Sequence, residues 1–414
     1  MKKKSNIIVT VCLLLCLFPT GSCNKKEALP INVIPIASTV GNYSILNLSE
    51  YATDIKYIPL ETNNECLVGA YPKIICEDDK ILISSGAIDC YLFDNTGKFC
   101  RKIGLHGQGP EDYLIILQTY IYNNSIYLID SYKILIYDIS GHFVEKINKR
   151  FNEMPTEYAG HGMFDILPLK KDTYVMNVVS MKGYYPKAIL LERYQTDMNM
   201  IKEYPNNLTL NKMNGGFMGD ELGYLYRYND EIRAYKGIND TIFSIGQNTE
   251  MKNAFIFELG KYKPTLSFFE RKEGDFRIAM KNYIHLVNIH ESHNHIFITF
   301  DFGIYAPESI ELPGRQGGTY SNDNVNGVFD KRTGKLTLMC QPIKGKLGFR
   351  NDIDGGPVIW PTFISSNNEL VTYIHPEEFM EYYDKIDNPS AALKEIAEKI
   401  SPFDNPIVIV AKLK

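Results

Sequence analysis

The sequence predicts an all-β fold in which six four-stranded blades close into a ring, a six-bladed β-propeller. Two observations carry the prediction. Short runs of alternating apolar and polar residues, broken by Gly, Asn, Asp and Pro, fill most of the 414 residues, the pattern of half-buried strands. A unit also repeats: YLFDNTGKFCRKI from Tyr91 matches LIYDISGHFVEKI from Leu135, placing Asp94 on Asp138, Gly97 on Gly141, Phe99 on Phe143 and Ile103 on Ile147, each 44 residues on. A period of about 40–45 residues with four strands is that of a propeller blade.

The first element is not part of the ring. Lys2, Lys3 and Lys4 precede an apolar run from Ile7 to Phe18, then Thr20, Gly21, Ser22 and Cys23. This is a secretory signal layout, and its apolar run falls short of the ~20 residues of a spanning helix. TGSC resembles a bacterial lipobox. Residues 1–22 are therefore expected to be removed as a lipoprotein signal, with Cys23 lipidated and 23–32 forming a tether, since acyl chains give stable membrane anchoring. Thr20 departs from the usual Leu. Basic rather than acidic residues follow Cys23, so the surface-export mark of such lipoproteins is missing and the leaflet stays open.

The blades are expected within 33–414. Each repeat copy reads as strand, turn and strand, with Gly where the turn needs φ > 0. The segments KILISSGAIDCYLFD and SIYLIDSYKILIYD supply the other strands of the first two blades. Weaker copies follow at YVMNVVSMKGYYPKAILLERYQ, at DEIRAYKGINDTIFSIG and at HIFITFDFG leading to NGVFDKRTGKLTLM. The last blade combines PVIWPTFISSNNELVTYI with PIVIVAKLK, and an N-terminal strand, INVIPIA or DIKYIPLE, is expected beside it to close the ring and remove the open edge. Helical spacing is confined to about 375–400. Phe379, Tyr383 and Ile386 lie behind Pro376, while Ser390 stands as N-cap to Leu393, Ile396, Ala397 and Ile400.

Composition narrows the function classes. With 44% hydrophobic and 22% charged residues the chain is globular, and a net charge of −5 without basic clusters sets nucleic acid aside. Of eight cysteines, Cys12 and Cys16 leave with the signal and Cys23 carries lipid. The remaining five cannot all pair, although Cys90 and Cys100 flank one turn, and no CxxC exists to hold a metal.

YIPLET from Tyr57, FDNTGKFCRKIGLHGQGPEDY from Phe93, YDISGHF from Tyr137 and NDIDGGPVIWP from Asn351, in that order, resemble the six-bladed propeller lipoproteins of Bacteroidetes, whose repeats look like those of NHL and TolB-like propellers. The resemblance implies the fold over nearly the whole mature chain and little chemistry, because that family is largely of unassigned function.

Three stretches are candidate sites. IGLHGQGPEDY, from Ile103, holds His106, Gln108 and Glu111 among glycines that suit an anion nest, but no Lys-Ser/Thr and no helix follow, so a joint between blades is the simpler reading. RNDIDGGP gathers Arg350, Asn351, Asp352 and Asp354 near Trp360; its alternating oxygen groups suit a ligand or a divalent cation such as calcium, and equally suit Asx turns. YIHLVNIHESHNHIF holds His285, His290, His293 and His295; the last three are candidate zinc ligands or exposed residues of a hairpin tip. No GxSxG, HExxH or Asp-box is present. The expected function is a lipid-anchored envelope propeller, on the outer membrane, that needs no cofactor and binds a glycan, peptide or protein partner. The alternative is an envelope hydrolase or lyase with acidic and histidine residues at the central channel.

Overall fold

The structure is a computed structural model that describes residues 32–77, 79–149, 151–152, 165–180, 185–205, 223–236, 239–265, 279–313 and 319–414. The signal, Cys23 and most of the tether lie outside the described residues.

Six antiparallel blades form the ring. The first runs through Lys73–Glu77, Lys80–Ser85, Asp89–Asp94 and Phe99–Lys102, and the second through Gln118–Tyr122, Ser125–Ile129, Lys133–Asp138 and Phe143–Asn148. The third begins at Ile166–Lys170, the fourth at Tyr224–Tyr228, the fifth at His285–Glu291 and the sixth at Phe363–Ile364. In each blade the strand named first is innermost and the next strands of the blade follow outward in chain order, while the outermost places of the fourth, fifth and sixth blades go to strands from the N-terminal segment.

The repeat is a turn device. Asp94 Oδ1 accepts the backbone N–H groups of Thr96 and Lys98 at 2.8 and 3.1 Å. Asp138 Oδ1 does the same for Ser140 and His142 at 2.8 and 3.0 Å. Gly97 and Gly141 then take φ of 89° and 83°, a region that a side chain makes costly. Asp330 and Gly334 (φ 70°) reuse the arrangement in the fifth blade.

Ring closure falls to DIKYIPLE. Ala52–Pro59 pairs antiparallel with Ile407–Leu413, with Ile58 opposite Val408 and Tyr57 opposite Ile409, so the N-terminal strand is the outermost of the sixth blade. INVIPIA does not close the ring. Its Val33–Ile34 instead pairs parallel with the outer strand of the fourth blade, and Tyr43–Ser44 pairs likewise with the fifth. The N-terminal segment thus runs along the outer edges of the fourth and fifth blades before completing the sixth. Two residues of pairing at each stop suit so short a path, because the segment must span three blades between positions 33 and 59.

Among the described residues two α-helices occur, both inserted in the sixth blade: α1 is Pro376–Tyr383 and α2 is Ala391–Lys399, with Ser390 Oγ accepting the Leu393 N–H at 3.2 Å. Phe379, Leu393 and Ile396 bury against Tyr57, Ile407 and Ile409. The other cores lie between neighbouring blades, as with Ile129, Ile134 and Ile147 of the second blade packed on Ile166, Val175 and Ile189 of the third. All five described cysteines are free. Cys90 is buried and faces Ile103 across the ladder, whose N–H donates to the Cys90 carbonyl at 2.8 Å, while Cys100 is exposed.

The Gly97 turn lies against the closing strand. A Cβ there stands 2.2 Å from the Pro59 carbonyl oxygen, whereas one at Gly86, also at positive φ (59°), meets open space. Both alanine variants suffer the left-handed backbone cost of roughly 1–2 kcal/mol, and only Gly97→Ala adds a clash, worth about 1–3 kcal/mol of overpacking. Urea unfolding is expected to show the Gly97→Ala midpoint clearly below that of Gly86→Ala; equal midpoints defeat the claim that this turn abuts the closure.

Candidate functional site

The six inner strands surround a central cavity of about 370 Å³ to which every blade contributes. Its walls combine aromatic and polar groups, among them Tyr120, Tyr226, Arg227, His290 and Glu77. Inner strands are short, and alternate side chains pack against the blades on either side. Tyr120 is 8% exposed, packs with the third blade and stacks on Tyr127 with centroids 4.8 Å apart. Desolvation raises its hydroxyl pKa well above the usual value, so it remains an O–H donor.

One carboxylate at this wall is fully committed. Glu291, 6% exposed, accepts from Arg233 Nε at 2.9 Å, from Lys331 Nζ at 2.9 Å and from Tyr226 Oη at 3.2 Å. Arg233 also donates to Ser244 Oγ at 2.7 Å and pairs with Glu231. The Tyr228 ring lies 4.0 Å from Lys331 Nζ and 5.0 Å from the Arg233 guanidinium. A buried carboxylate needs this many donors, because losing water costs several kcal/mol. Glu77, at the end of the first inner strand, accepts the Ser366 N–H at 2.8 Å and the Ser366 hydroxyl.

Arg227 differs from Arg233. It reaches over the Tyr122 ring at 4.0 Å and donates through Nη2 to the Pro168 carbonyl, while Nη1 is buried with no hydrogen-bond partner among the described residues. Among the described residues no carboxylate lies within ion-pair distance of it. Burial lowers its pKa, an effect that nearby tyrosines and Asp230 oppose. Tyr120 Oη and His290 Nε2 are likewise buried with no partner among the described residues.

The candidates from sequence divide sharply. In RNDIDGGP every group is engaged with the N-terminal segment. Arg350 Nε donates to Asn47 Oδ1 at 2.8 Å, Asp352 accepts the Ser49 N–H and hydroxyl at 2.9 and 2.6 Å, and Asp354 accepts from Tyr57 Oη at 3.2 Å and Asn351 Nδ2 at 2.7 Å. Trp360 donates to Thr299 Oγ1 at 3.1 Å and packs on Phe349. Asn351 and Asp354 hold Tyr57 of the closing strand, Arg350 and Asp352 hold the turn just before it, and none of these residues lines the central cavity.

IGLHGQGPEDY is the joint between the first two blades. Tyr113 is wholly buried in it and donates to the Ile88 carbonyl at 2.8 Å, and Gly104, at φ 63°, lets Tyr137 Oη pass where a Cβ has no room. His106, Gln108 and Glu111 are exposed on its outside. In YIHLVNIHESHNHIF the tip is only Ser292–Asn294, because the register sets His290 opposite Phe297 and Glu291 opposite Ile296. His290 belongs to the inner strand and lines the cavity, whereas His295 is buried edge-on to Tyr51 at 5.1 Å; the exposed-tip reading holds for His293 alone. The three do not converge, and among the described residues no group of three or more His, Cys, Asp and Glu is placed to hold a metal ion. Tyr120, Arg227 and Glu291 escaped the sequence reading. The signal available for one of them was YLYRY, a short strand of tyrosines interrupted by an arginine just before the turn at Asn229.

The fold and cavity define a closed six-bladed propeller with a polar, aromatic channel. From residue 31 to 412 the chain matches the family described as Domain of unknown function (DUF4934), and it belongs to that family. A protein of Bacteroides fragilis NCTC 9343 described as exported shares the architecture at TM-score 0.65 and 18% identity, covering 92% of this chain and 99% of its own. A streptogramin B lyase (TM-score 0.40, 8% identity, 87% and 98% coverage) and the virginiamycin B lyase of Staphylococcus aureus (0.40, 10%, 86% and 99%) are too distant to bear on this site. No curated protein matches the chain.

Burial holds His290 neutral, lowering its pKa from 6.5 to about 4. The unfolded chain then binds the extra proton as pH falls from about 6.5 to 4, so stability drops over that window and levels off below it. Urea midpoints of wild type and His290→Gln measured between pH 7 and 4 should converge as pH falls; parallel curves defeat the assignment.

Proposed function

We propose that this protein is a cell-envelope binding propeller, held to the outer membrane through a lipidated Cys23, with the central cavity as its ligand seat. The observation that carries the reading is a cavity walled by all six inner strands in which Tyr120 Oη and His290 Nε2 have no partner among the described residues. Its size falls within the ~300–1,000 Å³ of small-molecule sites, and a few polar groups among aromatic walls are what such sites use for orientation. Tyrosine faces suit a sugar ring or a peptide side chain. The signal layout ending in Cys23 supports the anchor, and among the described residues no helix is long and apolar enough to cross a membrane.

A hydrolase or lyase draws on the same cavity, because His290, Glu77 and Glu291 all line it. Against that reading, Glu291 is already committed to Arg233, Lys331 and Tyr226.

The test is a thermal-shift and calorimetric screen of residues 24–414 against mono- and disaccharides and short peptides. A ligand at a hundred times its Kd adds about 2.7 kcal/mol to stability, a readily seen shift. Asn288→Trp, which fills the cavity from an exposed wall position, should abolish that shift while leaving the unliganded midpoint nearly unchanged. Stabilisation that survives Asn288→Trp places the ligand elsewhere. Consumption of the ligand, lost in His290→Ala with binding retained, selects the catalytic reading. Separately, Cys23→Ala should move the full-length protein from the membrane to the soluble fraction, and continued membrane association defeats the anchor.

A further inference from the structure

We infer that the ligand of the central cavity carries a carboxylate, and that Arg227 is its counter-charge. The inference rests on the cavity being the ligand seat.

The charge distribution around the cavity carries it. Arg233 and Lys331 are neutralised by Glu291, and Glu231 adds a second anion to Arg233. Arg227 lines the same cavity and, among the described residues, has no such partner. Arg227 is half-buried with its Nη1 withdrawn from water, and a charge so placed is steadied by a counter-charge, since desolvation without one is costly. Glu77 does not serve: it stands on the first blade, across a six-membered ring from Arg227 on the fourth, and it receives both donors of Ser366.

The surroundings of Arg227 fit an anion rather than a general polar group. Its head is carried toward the second and third blades, over Tyr122 and onto the Pro168 carbonyl, which leaves the Nη1 side without a partner among the described residues. Tyr120 precedes Tyr122 by two residues on the same strand, hence on the same face and about 7 Å away, and its hydroxyl also has no partner among the described residues. A guanidinium N–H and a phenol O–H are both donors, and a carboxylate accepts from both. The aromatic walls cover the remainder of such a ligand. Two sources offer this chemistry: a uronic acid residue of a glycan and the C-terminus of a peptide.

The experiment uses matched pairs on residues 24–414 by calorimetry at pH 7 and low salt: a uronate-containing disaccharide against its neutral counterpart, and a dipeptide with a free C-terminus against its amide. The acid member of one pair should bind at least tenfold more tightly, and that pair identifies the source. Arg227→Met should remove the preference by weakening the acid alone, Arg227→Lys should restore part of it, and Tyr120→Phe should weaken the acid by a smaller factor. Circular dichroism melts establish that each variant is folded. Equal affinity for acid and neutral members, or an equal loss of both in Arg227→Met, overturns the carboxylate inference while leaving the ligand seat standing. Absence of saturable binding by all four probes and by the wider saccharide and peptide screen overturns the seat and the inference together.

Discussion

The structure depends on one antiparallel ladder, the pairing of Ala52–Pro59 with Ile407–Leu413. A sheet array bent into a ring has two free edges until its last blade is completed, and unpaired edges invite the wrong partners. This chain completes the last blade with residues from opposite ends of its sequence. Everything around that ladder braces it: Tyr57 is held by Asn351 and Asp354, Glu61 accepts from the Phe99 N–H, and the helices α1 and α2 cover Ile407 and Ile409. The cavity follows from it as well, because the inner strands surround a channel only when the ring is shut.

Much of the fold was legible because its signals are local. The Asp94 and Asp138 turns act within five residues, so the carboxylate, the glycine and the spacing all appear in the sequence. The sixth blade and its helices were legible for the same reason, Ser390 and Pro376 being marks of helix starts. Choosing between INVIPIA and DIKYIPLE was beyond the sequence, since both are short apolar strands and only the three-dimensional path shows which one reaches Ile407.

The site was largely illegible, for a different reason. The cavity takes a few residues from each inner strand, and those strands are spread from residue 73 to 364. Each wall is a separate short strand from a different blade, so a window such as YLYRY shows one wall and never the enclosure. RNDIDGGP drew attention because Asx chemistry and ligand chemistry use the same side chains, and there the turn and the clasp on Ser49 and Tyr57 absorb all of them. His290 was seen but placed at a hairpin tip, since the sequence does not reveal that the turn spans only Ser292–Asn294.

The course of the N-terminal segment has a mechanical meaning. A pull applied from the direction of residue 23 loads first the two-residue pairing at Val33–Ile34, then that at Tyr43–Ser44, and only then the long ladder beginning at Ala52. The two short parallel contacts act as successive fuses. Each yields a length of slack before force reaches the strand that keeps the ring shut, so a pull on this end is spent on the short pairings before it can open the ring.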